Sequence, residues 1–515
     1  MKSRRNHFTL YFLLGFILPV QAQQQQPNII VFLVDDMGWM DTSVPLADKV
    51  YPLNKRYHTP NMERLTREGM KFTSAYATPV CTPSRVSMLT GMNAAHHGVT
   101  NWTTPFRSRN SDTPDEQLNF ANWNLNGLSP IAGVPQTAYA TPLPQLLQEN
   151  GYMTIHIGKG HWGTAGTPGA NPHNLGFTVN VAGHVAGRPL SYLGEQNYGN
   201  MPGKPYNIHA VPDMAEYYGS DTYLTEALTR EALKTLEAPI RNKQPFFLHL
   251  AHYAVHDPYD PDKRFLQKYL DTGLSRTEAI YASMVEGMDK SLGDVLNYLE
   301  NNGVDDNTVL IFMSDNGGLS LSYAGRGEAH TQNFPLKAGK GSVYEGGIRV
   351  PMLVKWPGVV KPASVTHTPV IIEDFFPTIL EMAQVEKYEL VQKVDGQSFV
   401  PLLKSPKQRQ AGRALVWHVP NKWTEQDGPG INYRSAIREG DWKLIYHLRD
   451  GKMELYNLAN DISESTDLAA KHPKRVRALA TKLGQQLRAW EAPMPSFKST
   501  GKPVPMPDEA LQSIN

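Results

Sequence analysis

The stretch CTPSRVSMLTG, residues 81 to 91, holds the only cysteine of the 515-residue chain and sets Arg85 one helical turn after it. Pro83 suits the first turn of a helix, and Val86, Met88 and Leu89 continue an apolar pattern that Gly91 closes. Cys81 is therefore expected just before a helix N-terminus, where free backbone N–H groups and the positive end of the dipole attract an anion. Arg85 can fork two hydrogen bonds onto a tetrahedral oxyanion. The spacing describes an anion site with a sulfur nucleophile at its base. A lone cysteine packed as a small hydrophobe is the alternative that these residues leave open.

Two acidic pairs, Asp35-Asp36 and Asp315-Asn316, each follow an apolar run, NIIVFLV and TVLIFMS. Adjacent strand residues point to opposite faces, so both members can meet one ligand only where the chain leaves the sheet. Gly38 and Gly317-Gly318 stand where such turns are needed. Together the pairs offer oxygen donors, which suit a hard cation such as Ca²⁺ or Mg²⁺ and match zinc or copper poorly. Asp, Asn and Gly also dominate ordinary strand ends, so each pair alone can be read as turn and cap. Two further runs deliver basic side chains: YMTIHIG leads into Lys159 and His161, and PFFLHLAHYAVHDPY into His256.

The elements that must position these groups follow from the runs themselves. Each has the length and bounding of a central strand. Helical patterns lie between them, in TPNMERLTREGM after Thr59 and over residues 277 to 301. Strands alternating with helices predict an α/β fold with a large, mostly parallel sheet covered on both faces. Ligands in such sheets bind beyond the carboxyl ends of the strands, so the polar clusters are expected to converge on one edge.

The N-terminus, MKSRRNHFTLYFLLGFILPVQAQQQQ, has a basic start, an apolar run from Phe8 to Val20 and a small Ala22. This predicts a secretory signal peptide over residues 1–22, a mature chain from near Gln23, and a periplasmic or extracellular destination. The run is shorter than the roughly 20 residues a bilayer requires, so no membrane span is expected. No cysteine follows the cleavage region to carry a lipid anchor. The chain is 40% hydrophobic and 19% charged with a net charge of +1, an ordinary globular composition without basic runs for nucleic acid. Apart from the glutamine run at Gln23 to Gln26 there is no low-complexity tract. In an oxidising compartment cysteines usually pair, which sharpens the question of why Cys81 stands alone.

The motif C-T-P-S-R-V-S-M-L-T-G resembles the signature of type I, formylglycine-dependent sulfatases, of the alkaline phosphatase-like superfamily. Similarity runs on to the C-terminal EGDWKLIYHL and LYNLANDISESTDLA segments. The resemblance implies a polysaccharide sulfatase whose Cys81 is oxidised to formylglycine by a formylglycine-generating or sulfatase-maturing enzyme. It implies one Ca²⁺ held by Asp35, Asp36, Asp315 and Asn316, and a formylglycine hydrate as nucleophile, fixed by Arg85. Lys159 and His161 match a G-K-x-H element, His256 an H-x-P element, and Lys340 the lysine before Y-E-G-G. Gly160 departs from the aromatic usual in that place, with Trp162 beyond it. A sulfated carbohydrate is the implied substrate. Related two-metal phosphatases carry Asp-His where this chain has Asp315-Asn316, and Ser or Thr in place of Cys81. A formylglycine-dependent phosphate or phosphonate monoester hydrolase and a catalytically silent, calcium-stabilised glycan-binding protein are the two other readings.

The same resemblance divides the chain into a catalytic α/β domain over 23–410 and a C-terminal α+β subdomain over 411–515. The subdomain is expected to hold short antiparallel strands in RSAIREG, WKLIYHL and KMELYNL, a turn at Arg449-Asp450-Gly451, and a closing helix from His472 to Glu491. Three aromatic- and glycine-rich segments, 102–123, 173–206 and 418–433, read as long loops of the kind that carry specificity.

Overall fold

NIIVFLV forms strand β1 (Asn28–Val34), buried along its whole length and hydrogen-bonded on both sides. The computed structural model describes residues 26–319, 333–408 and 413–511. The signal peptide at 1–22 and the expected boundary near residue 410 lie outside the described residues. In chain order the sheet continues with β2 (Met70–Tyr76), β3 (Met153–Gly158), β4 (Val179–Val181), β5 (Phe246–Ala251), β6 (Thr308–Ser314), β7 (Arg349–Lys355), β8 (Ser364–Thr366) and a short β9 (Val370–Ile371). The strands lie in the order β8-β2-β7-β6-β1-β5-β3-β4, with β9 also paired to β2.

The sheet is parallel except at β7, which runs antiparallel to both β2 and β6. Pro351 lies inside β7, and the register with β2 shifts between Val350 and Met352, where proline has no N–H to give a ladder. The helices α1 (Pro60–Glu68), α2 (Cys81–Thr90), α3 (Leu224–Asn242) and α4 (Arg276–Asn301) cover the faces. Helix α4 starts at Ser275, whose hydroxyl accepts from the Glu278 N–H at 3.3 Å in a capping box. The two faces bury separate cores, with Ile29, Val31 and Leu33 of β1 in one and Ile30, Phe32 and Val34 in the other. That alternation is why β1 reads as a continuous apolar run.

Beyond residue 413, strands β10 (Ala414–Val419), β11 (Arg434–Glu439), β12 (Trp442–His447) and β13 (Met453–Asn457) form an antiparallel sheet. The β12–β13 turn falls where expected, with His447 N donating to Lys452 O at 2.9 Å. The last long helix, α5 (Pro473–Ala489), packs Leu479, Leu483 and Leu487 onto Ile437, Leu444 and Leu455 of this sheet. Lys443 of β12 is wholly buried between Glu345 and Glu464, 2.9 Å from each, and so ties this sheet to the segment before β7. Among the described residues, no helix is long and apolar enough to cross a membrane.

Candidate active site

The parallel register pairs Val34 with Ser314 and Leu33 with Ala251, so β1, β5 and β6 end together and deliver their polar residues to one edge. Asp315 N donates to Val34 O at 3.0 Å, which sets Asp35 and Asp315 side by side. At Asp36 φ is +60°, so the chain leaves the sheet there and both aspartates face the same side. Asn316 donates from Nδ2 to Asp36 Oδ1 at 2.7 Å. All four side chains are buried, and Asp35 Oδ1 and Asn316 Oδ1 have no hydrogen-bond donor against them. Atoms of Asp35, Asp36 and His256 lie within 4.8 Å of one another. Buried, undonated oxygens in a set of three carboxylates and a carboxamide fit a hard cation such as Ca²⁺. Burial and the neighbouring Asp315 push Asp35 up to about 7. Burial opposes ionisation of Asp36 too, but Lys340, His256 and Lys159 together outweigh it and hold that carboxyl well below the usual range.

Cys81 is the first residue of α2 rather than the one before it, with Val80 as the N-cap in extended conformation. Helix α2 ends at Gly91 in the left-handed conformation, and every residue of it is buried. Ser84, inside the motif but without an expected role, accepts from Thr78 N at 2.9 Å and donates to Asp315 O at 2.5 Å, joining α2 to the end of β6. Burial raises the Cys81 thiol, but Lys159 and Lys340 outweigh it and draw it below its ordinary value.

Arg85 has partners other than the anion expected of it. Its guanidinium is fully buried, donating from Nε to Asp315 Oδ2 at 2.9 Å and from Nη1 to Lys159 O at 2.8 Å. Nη2 lies 2.8 Å from the same Asp315 oxygen and 3.6 Å from Asp35 Oδ2. Nε and Nη1 are thus committed to Asp315 and to the turn after β3, while Nη2, buried and without a hydrogen-bond partner, keeps a donor to spare. Lys159 is also fully buried and pairs with Asp35. Lys340 reaches Asp36 at 2.6 Å.

His161 lies 3.5 Å from Cys81 Sγ through Nδ1, while Nε2 donates to Thr103 O at 2.8 Å. Burial, with Lys159 adding to it, drops its pKa well below the ordinary value, so the ring is neutral with the Nδ1 lone pair toward residue 81. Gly187 packs over the ring: a Cβ there would sit 2.5 Å from His161 Cε1. The Gly160 departure is accommodated by Trp162, which is buried, donates from Nε1 to Arg85 O at 3.1 Å and meets His156 at 4.8 Å between ring centroids. His256 Nε2 lies 3.7 Å from Asp36 Oδ2, and Nδ1 lies 3.0 Å from Asp257 Oδ1. Burial and Lys340 lower its pKa, but the surrounding carboxylates Asp36, Asp257 and Asp35 together prevail and the imidazole holds its proton above the ordinary value. Asp257 thus orients His256; its place next to the histidine is the one signal that could have named it.

Cys81, His161, His256 and Lys340 line a cavity of about 760 Å³. Its walls come from all three long loops: Trp102 and Arg109 from the first, Gly187 and Arg188 from the second, Trp423 and Glu425 from the third. The sequence marked these loops by composition and singled out no residue in them, because loop side chains follow no period.

Comparison with known proteins agrees with this geometry. The family model described as Sulfatase matches residues 27–385, and one described as N-sulphoglucosamine sulphohydrolase, C-terminal, matches residues 338–492. The chain is 31% identical over 569 residues to a protein of Formosa agariphila named Sulfatase, covering 98% of each. It is 28% identical over 502 residues to the N-acetylgalactosamine-6-sulfatase of Mus musculus, covering 87% of this chain and 86% of that one. Among solved structures, Ps i-CgsB in complex with k-i-k-neocarrahexaose is similar at a TM-score of 0.70 and 28% identity, over 90% of this chain and 93% of that one.

Proposed function

Because the chain belongs to the sulfatase family and is a sulfuric ester hydrolase, we propose that it hydrolyses sulfate esters of a sulfated polysaccharide or oligosaccharide, with residue 81 as formylglycine and one Ca²⁺. The observation that carries this reading is the place of Cys81, at the start of a buried helix on the floor of the cavity, with His161 3.5 Å away. The relatives, an N-acetylgalactosamine-6-sulfatase and a sulfatase-like protein in complex with a neocarrahexaose, support a sugar as the leaving group.

A sulfate monoester resists attack because its anionic oxygens repel the nucleophile. Asp35, Asp36, Asp315 and Asn316 would hold the Ca²⁺, which when bound supplies positive charge to a sulfate oxygen. As a hydrate, formylglycine 81 supplies one oxygen to attack sulfur and a second whose deprotonation releases sulfate. Lys159 and Lys340 offset the charge that develops as the S–O bond breaks. His256, oriented by Asp257, donates a proton to the leaving alkoxide with Lys340 beside it, and neutral His161 takes the proton from residue 81 through Nδ1. Arg85 acts through Asp315 and the Lys159 turn, holding both in place. The signal peptide at 1–22 would direct the protein to the periplasm or outside, and the maturation enzyme is the partner its biogenesis requires.

The test is mass spectrometry of the peptide containing residue 81, from protein produced alongside a formylglycine-generating enzyme, together with sulfate release from neocarra-oligosaccharides and N-acetylgalactosamine 6-sulfate. Formylglycine with sulfate release is the expected result. An unmodified thiol from that host, with no release from any sulfated glycan, would replace the reading with a silent, calcium-stabilised glycan-binding protein.

A further inference from the structure

We infer that Trp423, carried by the loop between β10 and β11, is the platform on which the sugar ring of the substrate stacks, so that the C-terminal segment sets which glycan reaches the chemistry. The inference rests on the sulfatase reading above and adds a binding subsite for a pyranose face to it.

Five observations lead there. Trp423 is half-buried and shares the cavity wall with Lys340, so one side of a large aromatic faces the space beside the reacting groups. Its other side rests on the backbone next to that lysine: a Cβ at Gly341 would sit 2.1 Å from Trp423 Cε3, and φ there is +85°, so glycine is required twice over. The contact makes the indole an extension of the Lys340 turn.

The loop that carries Trp423 is fixed rather than draped. Asn432, itself buried, accepts from Trp423 N at 2.7 Å and from Thr424 N at 3.3 Å, and donates to Thr424 O at 3.0 Å. The same loop is stitched to the Lys340 segment, since Val343 N donates to Gly430 O at 3.1 Å and Ser342 Oγ to Pro429 O at 2.8 Å. It is stitched to the opposite wall as well, where Thr113 N donates to Lys422 O at 2.8 Å and Asn421 to Asp112 at 3.0 Å.

A half-buried tryptophan held by its neighbours on one side and open on the other offers its π face without paying conformational entropy on binding. The C–H face of a pyranose is the part of a sulfated sugar that can use it, because hydroxyl and sulfate groups project from the ring edge and need polar partners. Lying against the Lys340 turn, the platform holds the leaving sugar on the side where His256 and Lys340 stand.

The experiment is steady-state kinetics of the matured protein with Trp423→Ala and Trp423→Tyr, on neocarra-oligosaccharides, N-acetylgalactosamine 6-sulfate and 4-nitrophenyl sulfate. With Ala, kcat/KM on the hydrolysed sugar should fall about tenfold, mainly through KM, and at least severalfold more than on the aryl sulfate; Tyr should recover most of the loss. Equal losses on sugar and aryl sulfate, or no rise in KM for the sugar, would overturn the platform. Failure of the parent protein to release sulfate from either class would instead overturn the sulfatase reading on which it rests.

Discussion

Arg85 and Asp315, 230 residues apart in sequence, form a wholly buried pair in which Nε donates to Oδ2 at 2.9 Å. The arginine is thus a positioning group for the acidic cluster. Arg85→Ala leaves a buried carboxylate without its counter-charge, a change that costs about 3–5 kcal/mol. Thermal unfolding should shift down accordingly, and calorimetric titration should show weakened Ca²⁺ binding. Arg85→Lys keeps the charge, loses the fork and falls between parent and alanine variant.

Cys81→Ser should leave the fold and Ca²⁺ binding as in the parent and abolish turnover. A serine can attack sulfur once but has no second hydroxyl to expel the sulfate. Circular dichroism, calcium titration and a sulfate-release assay check the three parts, and sustained multiple turnover by the serine variant would sink the formylglycine mechanism.

Glu373 lies away from the cavity, buried, with Oε1 accepting from Asn93 at 2.8 Å and Oε2 without a donor. Burial and the adjacent Asp374 push it up to about 8. Its folded pKa therefore stands above the unfolded value near 4.5, so the folded state holds the extra proton between the two. Its contribution to stability is complete below about pH 4.5 and lost as pH rises through 8, at up to about 1.4 kcal/mol per pH unit. Urea unfolding at a series of pH values should show this slope in the parent and a shallower one in Glu373→Gln.

Lys443 stands between Glu345 and Glu464, 2.9 Å from each, and is the cation that pairs with both carboxylates of that buried cluster. Arg349 also approaches Glu345, at 3.4 Å, on its outer side. Lys443→Met should destabilise the protein by about 3–5 kcal/mol by stranding Glu464, and adding Glu464→Gln should recover part of the loss. A denaturant midpoint equal to the parent's in the single variant would remove the cluster from the account of how the two sheets are joined.

Much of this arrangement is legible in the residues. The runs ending at Asp35, Lys159 and Asp315, and the run leading to His256, are buried strands or their continuations, and equal strand ends bring their polar residues together as expected. Strand β7 escapes notice because Pro351 interrupts RVPMLVK, and its antiparallel course depends on a crossover that periodicity does not encode. Lys340 stands in the glycine-rich GKGSVYEGG, which has no strand or helix period, and only the resemblance named it. The Arg85–Asp315 pair is not legible in the same way, because spacing along a helix says nothing of a carboxylate arriving from residue 315. Trp423 was invisible for the same reason: the residue that fixes its place is a glycine in another segment.

The two strands that flank β1 lie far downstream, with Asn28 bonded across 218 residues to Phe246 and across 280 to Thr308. The first strand to be synthesised is thus enclosed only once residue 314 exists. Until most of the chain exists, NIIVFLV is an unpaired apolar segment with high β-propensity, the kind that associates with other chains. Folding that depends on such distant closure is slow. An N-terminal fragment ending before Thr308 would lack both the partner strand and half of the acidic set, so neither the β1–β6 pairing nor the assembled set of Asp35, Asp36, Asp315 and Asn316 can precede synthesis of residues 308–316.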